Sequence, residues 1–186
     1  RLMFPIIDIR GNVIAFGART MGNDIPKYIN TSDTLVFKKS SNLFALNFAK
    51  KSGKNSLILT EGYMDVISLH QAGFTNSVAG LGTALTSGQV KLLARNADEI
   101  FICYDSDEPG KKAADKAMKM IRQNGVNVKI LTIPKAKDPD EYLRSNGKDA
   151  AFKFKELIEN SKNDTEYRIS QIKSKYDLNF PEDKIK

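Results

Sequence analysis

The chain has 186 residues, of which 41% are hydrophobic and 27% charged, enough for one core with at most a small appendage and too apolar for a disordered segment. No apolar run is long enough to span a membrane, and a single cysteine, Cys103, and a single histidine, His70, exclude an internal disulfide and a zinc cluster, so both read as structural. The net charge of +7 is uneven: residues 1–56 carry nine Lys/Arg against three Asp/Glu, residues 57–145 eleven of each, and residues 146–186 nine against eight, so the basic first third points to a polyanion partner or to a solvated basic face.

The chain opens on Arg1-Leu2-Met3-Phe4-Pro5, neither an initiator methionine nor a signal peptide, and is expected to be a piece of a longer, cytosolic protein. Residues 1–56 read as strands and turns. Residues 3–9 are apolar and β-prone, Arg10-Gly11-Asn12 turns, and residues 13–19 return. A second turn at Gly22-Asn23-Asp24 leads past Pro26, which disfavours a helical Ile25, to an extended Lys27-Tyr28-Ile29-Asn30. Residues 42–50 have the pattern of a short helix.

Residues 57–145 alternate strand and helix. Strands are expected at 57–60, 77–79, 99–104 and 127–133. Helices are expected at 63–72, closed by Gly73, at 87–95, capped by Thr86 or Ser87, at 108–124, stopped by Gly125, and from 138 to 144. This alternation predicts an α/β fold with a parallel sheet flanked by helices. Residues 146–186 read as a helical tail, with helices at 151–159 and 164–176. Phe152, Phe154, Leu157 and Ile158 supply apolar packing to the first. Tyr167, Ile169, Ile172 and Tyr176 give a thin stripe to the second. This tail is expected to be a linker and the beginning of a truncated helical subdomain.

Acids recur at or shortly after the ends of the predicted strands. Glu61 follows Leu57-Ile58-Leu59-Thr60. Asp105 and Asp107 follow Phe101-Ile102-Cys103-Tyr104, and Asp138 and Asp140 follow the strand at 127–133. In a parallel sheet the loops after the carboxyl ends share one edge, where ligands bind. Clustered carboxylates raise one another's pKa unless a cation keeps them ionised. Hard oxygen donors without His or Cys select Mg²⁺ or Mn²⁺, which implies phosphoryl transfer on a nucleotide or nucleic acid. Taken singly, an Asp-x-Asp pair is an ordinary surface feature, and Asp138-Pro139-Asp140-Glu141 suits a helix N-terminus. The combination of a strand-end glutamate with two such pairs in one α/β unit carries the reading. Gly62 gives the chain freedom for a sharp turn after Glu61. The loop Gly80-Leu81-Gly82-Thr83-Ala84 fits either a tight βα turn or an approach of backbone amides to phosphate.

Glu61-Gly62-Tyr63-Met64-Asp65, Asp105-Ser106-Asp107 and Asp138-Pro139-Asp140-Glu141 together resemble the Toprim domain of bacterial DnaG-type primases. Met3-Phe4-Pro5-Ile6, Gly11-Asn12-Val13-Ile14-Ala15-Phe16-Gly17, Pro26-Lys27-Tyr28-Ile29-Asn30 and Phe37-Lys38-Lys39-Ser40 are similar to the basic subdomain that precedes it. The resemblance covers about residues 1–150. It implies a Toprim-type catalytic domain at 57–145, preceded by a small mixed α+β basic subdomain at 1–56 and followed by the helical tail at 146–186.

The same resemblance implies a nucleotidyltransferase, a DNA-directed RNA polymerase of the primase type. It would make short RNA primers from ribonucleoside triphosphates on a single-stranded DNA template at the bacterial replication fork. Its cofactor is Mg²⁺, with Mn²⁺ able to substitute, and no zinc in this stretch. A replicative helicase is met through a domain absent here, and no membrane is involved. Glu61, Asp105 and Asp107 are the implied direct metal ligands and catalytic acids. Asp138 and Asp140 complete or tune the cluster, and Asp65 joins it or orients a basic neighbour. Arg19, Lys27, Tyr28, Asn30, Lys38 and Lys39 form the implied ridge for template, primer or triphosphate. Ser106 stands where the family often has glycine, Thr31 where it more often has serine, and Ser40-Ser41-Asn42 replaces a common Gly-Arg pattern. Two other readings stay open: another Toprim enzyme, such as a topoisomerase or nuclease, and a non-catalytic nucleic-acid-binding module.

Overall fold

The computed structural model describes residues 1–23 and 25–175, with side chains as far as residue 169. Strands β1 (Leu2–Ile7) and β2 (Val13–Arg19) form an antiparallel hairpin. Its turn is organised by Asp8, whose Oδ1 accepts from the amides of Arg10 and Asn12, each at 2.9 Å. Strand β3 (Tyr28–Asn30) adds to β2 and completes a three-stranded sheet. The two-residue period sends Phe4, Ile6 and Ala15 to the buried face and leaves Met3 and Phe16 outside. Because Gly17 pairs with both Phe4 and Asn30, and Arg19 with Tyr28, the side chains of Arg19, Tyr28 and Asn30 share the inward face.

The helix expected at 42–50 is not continuous. A 3-10 turn at Lys39–Ser41 precedes a single helical turn, α1 (Leu46–Ala49), and a second 3-10 turn follows at Lys50–Ser52. The cause lies in Phe44, which bridges antiparallel to Ala79 through two backbone hydrogen bonds of 2.9 and 3.3 Å. Ala45 adopts a left-handed φ of 64° to leave that bridge. Tertiary pairing thus overrides local helical pattern.

The main sheet has strand order β5-β4-β6-β7-β8. Strands β4 (Ser56–Thr60), β5 (Ser77–Ala79), β6 (Glu99–Ile102) and β7 (Asn127–Ile130) run parallel, and β8 (Lys162–Asn163) closes one edge antiparallel. The helices between them are α2 (Tyr63–Gln71), α3 (Ser87–Asn96), α4 (Glu108–Arg122) and α5 (Pro139–Asn146). Helices α6 (Ala150–Glu159) and α7 (Asp164–Lys175) follow. Thr86 caps α3, with Gln89 answering from the first turn in a capping box.

Alternation along the strands builds a core on each face of this sheet. Leu57, Leu59, Ile100 and Ile102 pack towards α3 and α4, whereas Ile58 and Phe101 pack towards α2, α5 and α6. A third cluster, including Phe4, Ile6, Phe44, Tyr63 and Leu81, welds the small sheet to the large one. No helix among the described residues is long and apolar enough to cross a membrane.

The tail is more than a linker. Phe154 of α6 is completely buried, its ring 4.8 Å from that of Phe74, while Tyr167 of α7 joins the core on the opposite face. Residues 150–167 therefore share the core of the residues before them. Strand β8 is too short to show a period of two, so its place is decided by the open edge of β7. Tyr176, the end of the helix expected at 164–176, lies outside the described residues. Phe154→Leu is expected to lower unfolding free energy by about 1–2 kcal/mol, read as a lower urea midpoint. An unchanged midpoint would mean that α6 does not contribute to the core.

Candidate active site

All three acidic segments lie at the carboxyl edge of the parallel sheet. Glu61 directly follows β4, and its Oε1 accepts from the Asp105 amide at 3.1 Å. This bond ties the end of β4 to the turn after β6. Asp107 caps α4 by accepting from Gly110 N at 2.9 Å, and Asp138 caps α5 by accepting from Glu141 N at 2.8 Å. The helix-start reading of Asp138 and the site reading are compatible, because each cap uses one oxygen and leaves the other available.

Asp65 and Asp140 differ from these four. Asp65 is buried on α2, with Oδ2 accepting from Gly62 N at 3.2 Å and Oδ1 from Asp140 N at 3.3 Å. Asp140 accepts from Ser68 Oγ at 2.6 Å and pairs with Arg144 at 2.7 Å. Its Oδ1 thus joins α5 to α2, while its Oδ2 makes an ion pair one turn along α5 itself. Ser68 does not stand out in the sequence as a partner, since the contact joins residues 72 apart on two packed helices, whereas Arg144 stands at the i,i+4 spacing of a helical ion pair.

The acids sense one another. Loss of surrounding water raises the Glu61 carboxyl above its ordinary pKa, and the charge of Asp105 adds to it, partly countered by the Asp105 amide. Burial raises Asp65 to about 7, with Asp138 reinforcing the shift. Asp105 is also raised, first by desolvation, against the lowering effect of Lys137. Lys137 is a site residue that the sequence reading missed. Its ammonium lies 3.3 Å from Asp105 Oδ2 and 3.7 Å from Asp107 Oδ2.

Among the described residues no three acids converge on one point tightly enough to hold an ion as the side chains stand. The donor set nevertheless fits a hard divalent cation. Its members are all oxygens, they destabilise one another's ionised form, and Mg²⁺ needs only one or two carboxylates beside phosphate and water. Glu61 and Asp107 are exposed on this edge.

The basic sheet meets the larger unit at Tyr63, whose ring lies 6.3 Å from that of Tyr28. The Tyr28 hydroxyl is raised in pKa by desolvation, lowered by Arg19, and raised again by Asp65, Asp140 and Asp138. That ring lies 5.9 Å from the guanidinium carbon of Arg19 and 5.9 Å from Lys27 Nζ. Asn30 is placed differently from a free ligand. It accepts from the Tyr63 hydroxyl and donates to Leu81 O at 3.1 Å, so both ends of its amide are engaged within the protein. The glycines permit this rivet. A Cβ on Gly82, at φ +74°, would stand 2.9 Å from Asn30 Nδ2, and one on Gly17 would stand 2.5 Å from the Tyr63 ring. Lys38 and Lys39 sit elsewhere, where Gln89 donates to Lys39 O at 3.0 Å and Thr86 to Ser40 O at 2.5 Å. No ion pair or hydrogen bond among the described residues joins them to Tyr28. A cavity of about 220 Å³ opens beside Glu61, bounded by Gly80, Gly82, Thr83, Tyr104 and Lys116.

His70 and Cys103 lie off this edge chemistry. His70 Nε2 is 3.0 Å from Ser77 O, and Cys103 is fully buried, with its thiol pKa pushed up by burial.

Comparison with known proteins gives concordant matches. Residues 58–143 match the Toprim-like family model, and residues 1–50 match the family described as DNA primase catalytic core, N-terminal domain. The chain is 46% identical over 187 residues to a DNA primase of Clostridium acetobutylicum, covering 100% of this chain and 31% of that protein. The crystal structure of a DNA primase domain from Pseudomonas aeruginosa is similar with a TM-score of 0.83 at 40% identity, covering 94% of this chain and 56% of that one. The structure of a DnaG primase catalytic domain bound to single-stranded DNA is similar with a TM-score of 0.82 at 35% identity, covering 97% and 57%. The chain thus spans about a third of the curated relative's length.

Proposed function

Because the chain belongs to the bacterial DnaG-type primase family, with a Toprim unit beside part of the catalytic core's N-terminal unit, we propose that it synthesises short RNA primers from ribonucleoside triphosphates on a single-stranded DNA template. One observation carries this reading most directly: Tyr28, flanked by Arg19 and Lys27, lies with its ring 6.3 Å from that of Tyr63, which starts α2 two residues after Glu61 at the acidic sheet edge. Basic side chains suited to a polyanion thus sit on the small sheet packed against the unit that carries Glu61, Asp105 and Asp107. Domain limits at 1–56, 57–145 and 146–186 describe this division of labour, although the tail packs with the second unit.

In the proposed reaction a primer 3′-hydroxyl attacks the α-phosphate of a triphosphate. A phosphodiester bond forms, the α–β bridge breaks, and pyrophosphate leaves. Toprim proteins of this family work with a divalent metal; here we propose Mg²⁺, with Mn²⁺ able to replace it. When bound, it polarises the α-phosphate and neutralises charge on the leaving group. Glu61, Asp105 and Asp107 would hold it directly and Asp138 would complete the cluster. Asp65 and Asp140 keep α2, α5 and the turn before α2 in register through the bonds of Asp65 to Gly62 and Asp140 and of Asp140 to Ser68. Arg19 and Lys27 are assigned to phosphates of template, primer or triphosphate, with Lys38 and Lys39 as a second contact. Asn30 fixes the strand that carries Tyr28. The setting is the bacterial cytoplasm at the replication fork, where a replicative helicase is met through another domain.

The test is product identity. With single-stranded DNA and labelled ribonucleoside triphosphates, short RNA is expected in Mg²⁺ and none in chelator. Template affinity should fall about tenfold or more between 50 and 200 mM salt, since the proposed ridge meets phosphates with Arg and Lys. Cleaved or relaxed DNA would transfer the chain to another Toprim activity. Metal-independent binding without synthesis would make it a binding module.

A further inference from the structure

Lys137 precedes Asp138 in the loop between β7 and α5, and two independent sets of contacts place it at the acids. Its ammonium spans Asp105 Oδ2 at 3.3 Å and Asp107 Oδ2 at 3.7 Å. Its backbone is fixed at the same spot. Lys137 N donates to Glu141 Oε2 at 2.7 Å, and Lys137 O accepts from Ser106 N at 2.8 Å. Ser106 adds a bond that glycine lacks, donating from Oγ to Ala136 O at 3.0 Å. The loop is therefore clipped to the turn whose two carboxylates its side chain bridges. The side chain itself is 58% exposed, so its amine swings into water without disturbing the clip.

We propose that Lys137 is a built-in counter-ion, which holds Asp105 and Asp107 together in the metal-free protein and yields their oxygens when a divalent cation binds. The inference rests on reading these acids as the metal site. A monovalent ammonium and a divalent ion compete for the same oxygens, and the ion, in direct contact at about 2.0–2.1 Å for Mg²⁺, wins. Lys137 thus sets a threshold for metal binding: it prevents mutual repulsion from splaying the empty pair and lowers the affinity for the ion that replaces it. Opposite signs separate this role from a merely structural one. A structural lysine, once removed, would let the ligands drift and weaken metal binding, whereas removal of a competitor strengthens it.

The experiment is a Mn²⁺ titration followed by electron paramagnetic resonance on the wild type, Lys137→Gln, Lys137→Arg and Asp105→Asn, with thermal melts in chelator. Lys137→Gln is expected to bind Mn²⁺ about three- to fivefold more tightly and to melt about 1–3 °C lower in chelator. Lys137→Arg, which keeps the charge, should return to wild-type affinity. Unchanged or weaker binding by Lys137→Gln overturns the counter-ion role. If the wild type binds no Mn²⁺, or Asp105→Asn binds it undiminished, the metal-site reading itself is lost and the proposal with it.

Discussion

Glu61→Gln is expected to reduce primer synthesis by about a thousandfold or more and to leave the fold intact. The first half follows from the chemistry assigned to the site. Metal stabilisation of charge in phosphoryl transfer is worth several kcal/mol, and each 1.36 kcal/mol is a factor of ten in rate. The second half follows from geometry. Glu61 is exposed, and its Oε1 accepts from the Asp105 amide at 3.1 Å, a bond that the glutamine oxygen can replace. In the metal-free protein the substitution also removes a charge that repels Asp105 and Asp107, so the melting temperature in chelator should hold or rise. Activity within tenfold of the wild type, measured at saturating Mg²⁺, would remove Glu61 from the metal site. Collapse of the melting transition would mean that the loss was structural.

The sequence reading reached the parallel sheet, most element boundaries and the edge where the acids gather, because each has a local cause. Strands β2 and β5 and the start of α3 fall where alternation and capping place them. The acids were legible because strand ends are legible and hard-ligand chemistry is read from residue type. Several features were not, and all of them depend on contacts between distant segments. The break in the helix expected at 42–50 comes from the Phe44–Ala79 bridge. Burial of Phe154 against Phe74 joins residues 80 apart in the sequence. The same limit separates Asn30, taken as a nucleic-acid contact, from the rivet it forms with Tyr63 and Leu81. Lys137 hid for another reason: a lone lysine beside Asp-Pro-Asp has no pattern, and its partners come from the turn after a different strand.

Asp65 makes the empty site sensitive to pH in a direction that can be stated in advance. Its carboxyl is raised from 3.8 to about 7 in the folded protein. Below about pH 4 it is protonated in both states and costs nothing. Between pH 4 and 7 the unfolded chain ionises while the folded protein still holds the proton, so stability falls across that window and levels off above it. A shift of this size corresponds to at most about 4 kcal/mol. Glu61 and Asp105, both raised, act in the same sense. In chelator the urea midpoint of the wild type should therefore decline from pH 5 to pH 8. Asp65→Asn should flatten this decline. It should also be less stable than the wild type at pH 5, because Gly62 N and Asp140 N both donate to Asp65 and an amide oxygen serves only one of them, an unmet donor costing about 1–3 kcal/mol. A flat wild-type profile, or equal slopes in the two proteins, would refute the assignment. Saturating Mg²⁺ should remove most of the decline, since a cation at the edge favours the ionised acids that burial and mutual repulsion oppose. The stability missing from the metal-free protein at neutral pH is then the part of the binding free energy that the cation restores to the fold. The same packing that sets Asp65 among Gly62, Asp138 and Asp140 makes the edge ready for a cation and costly to leave without one.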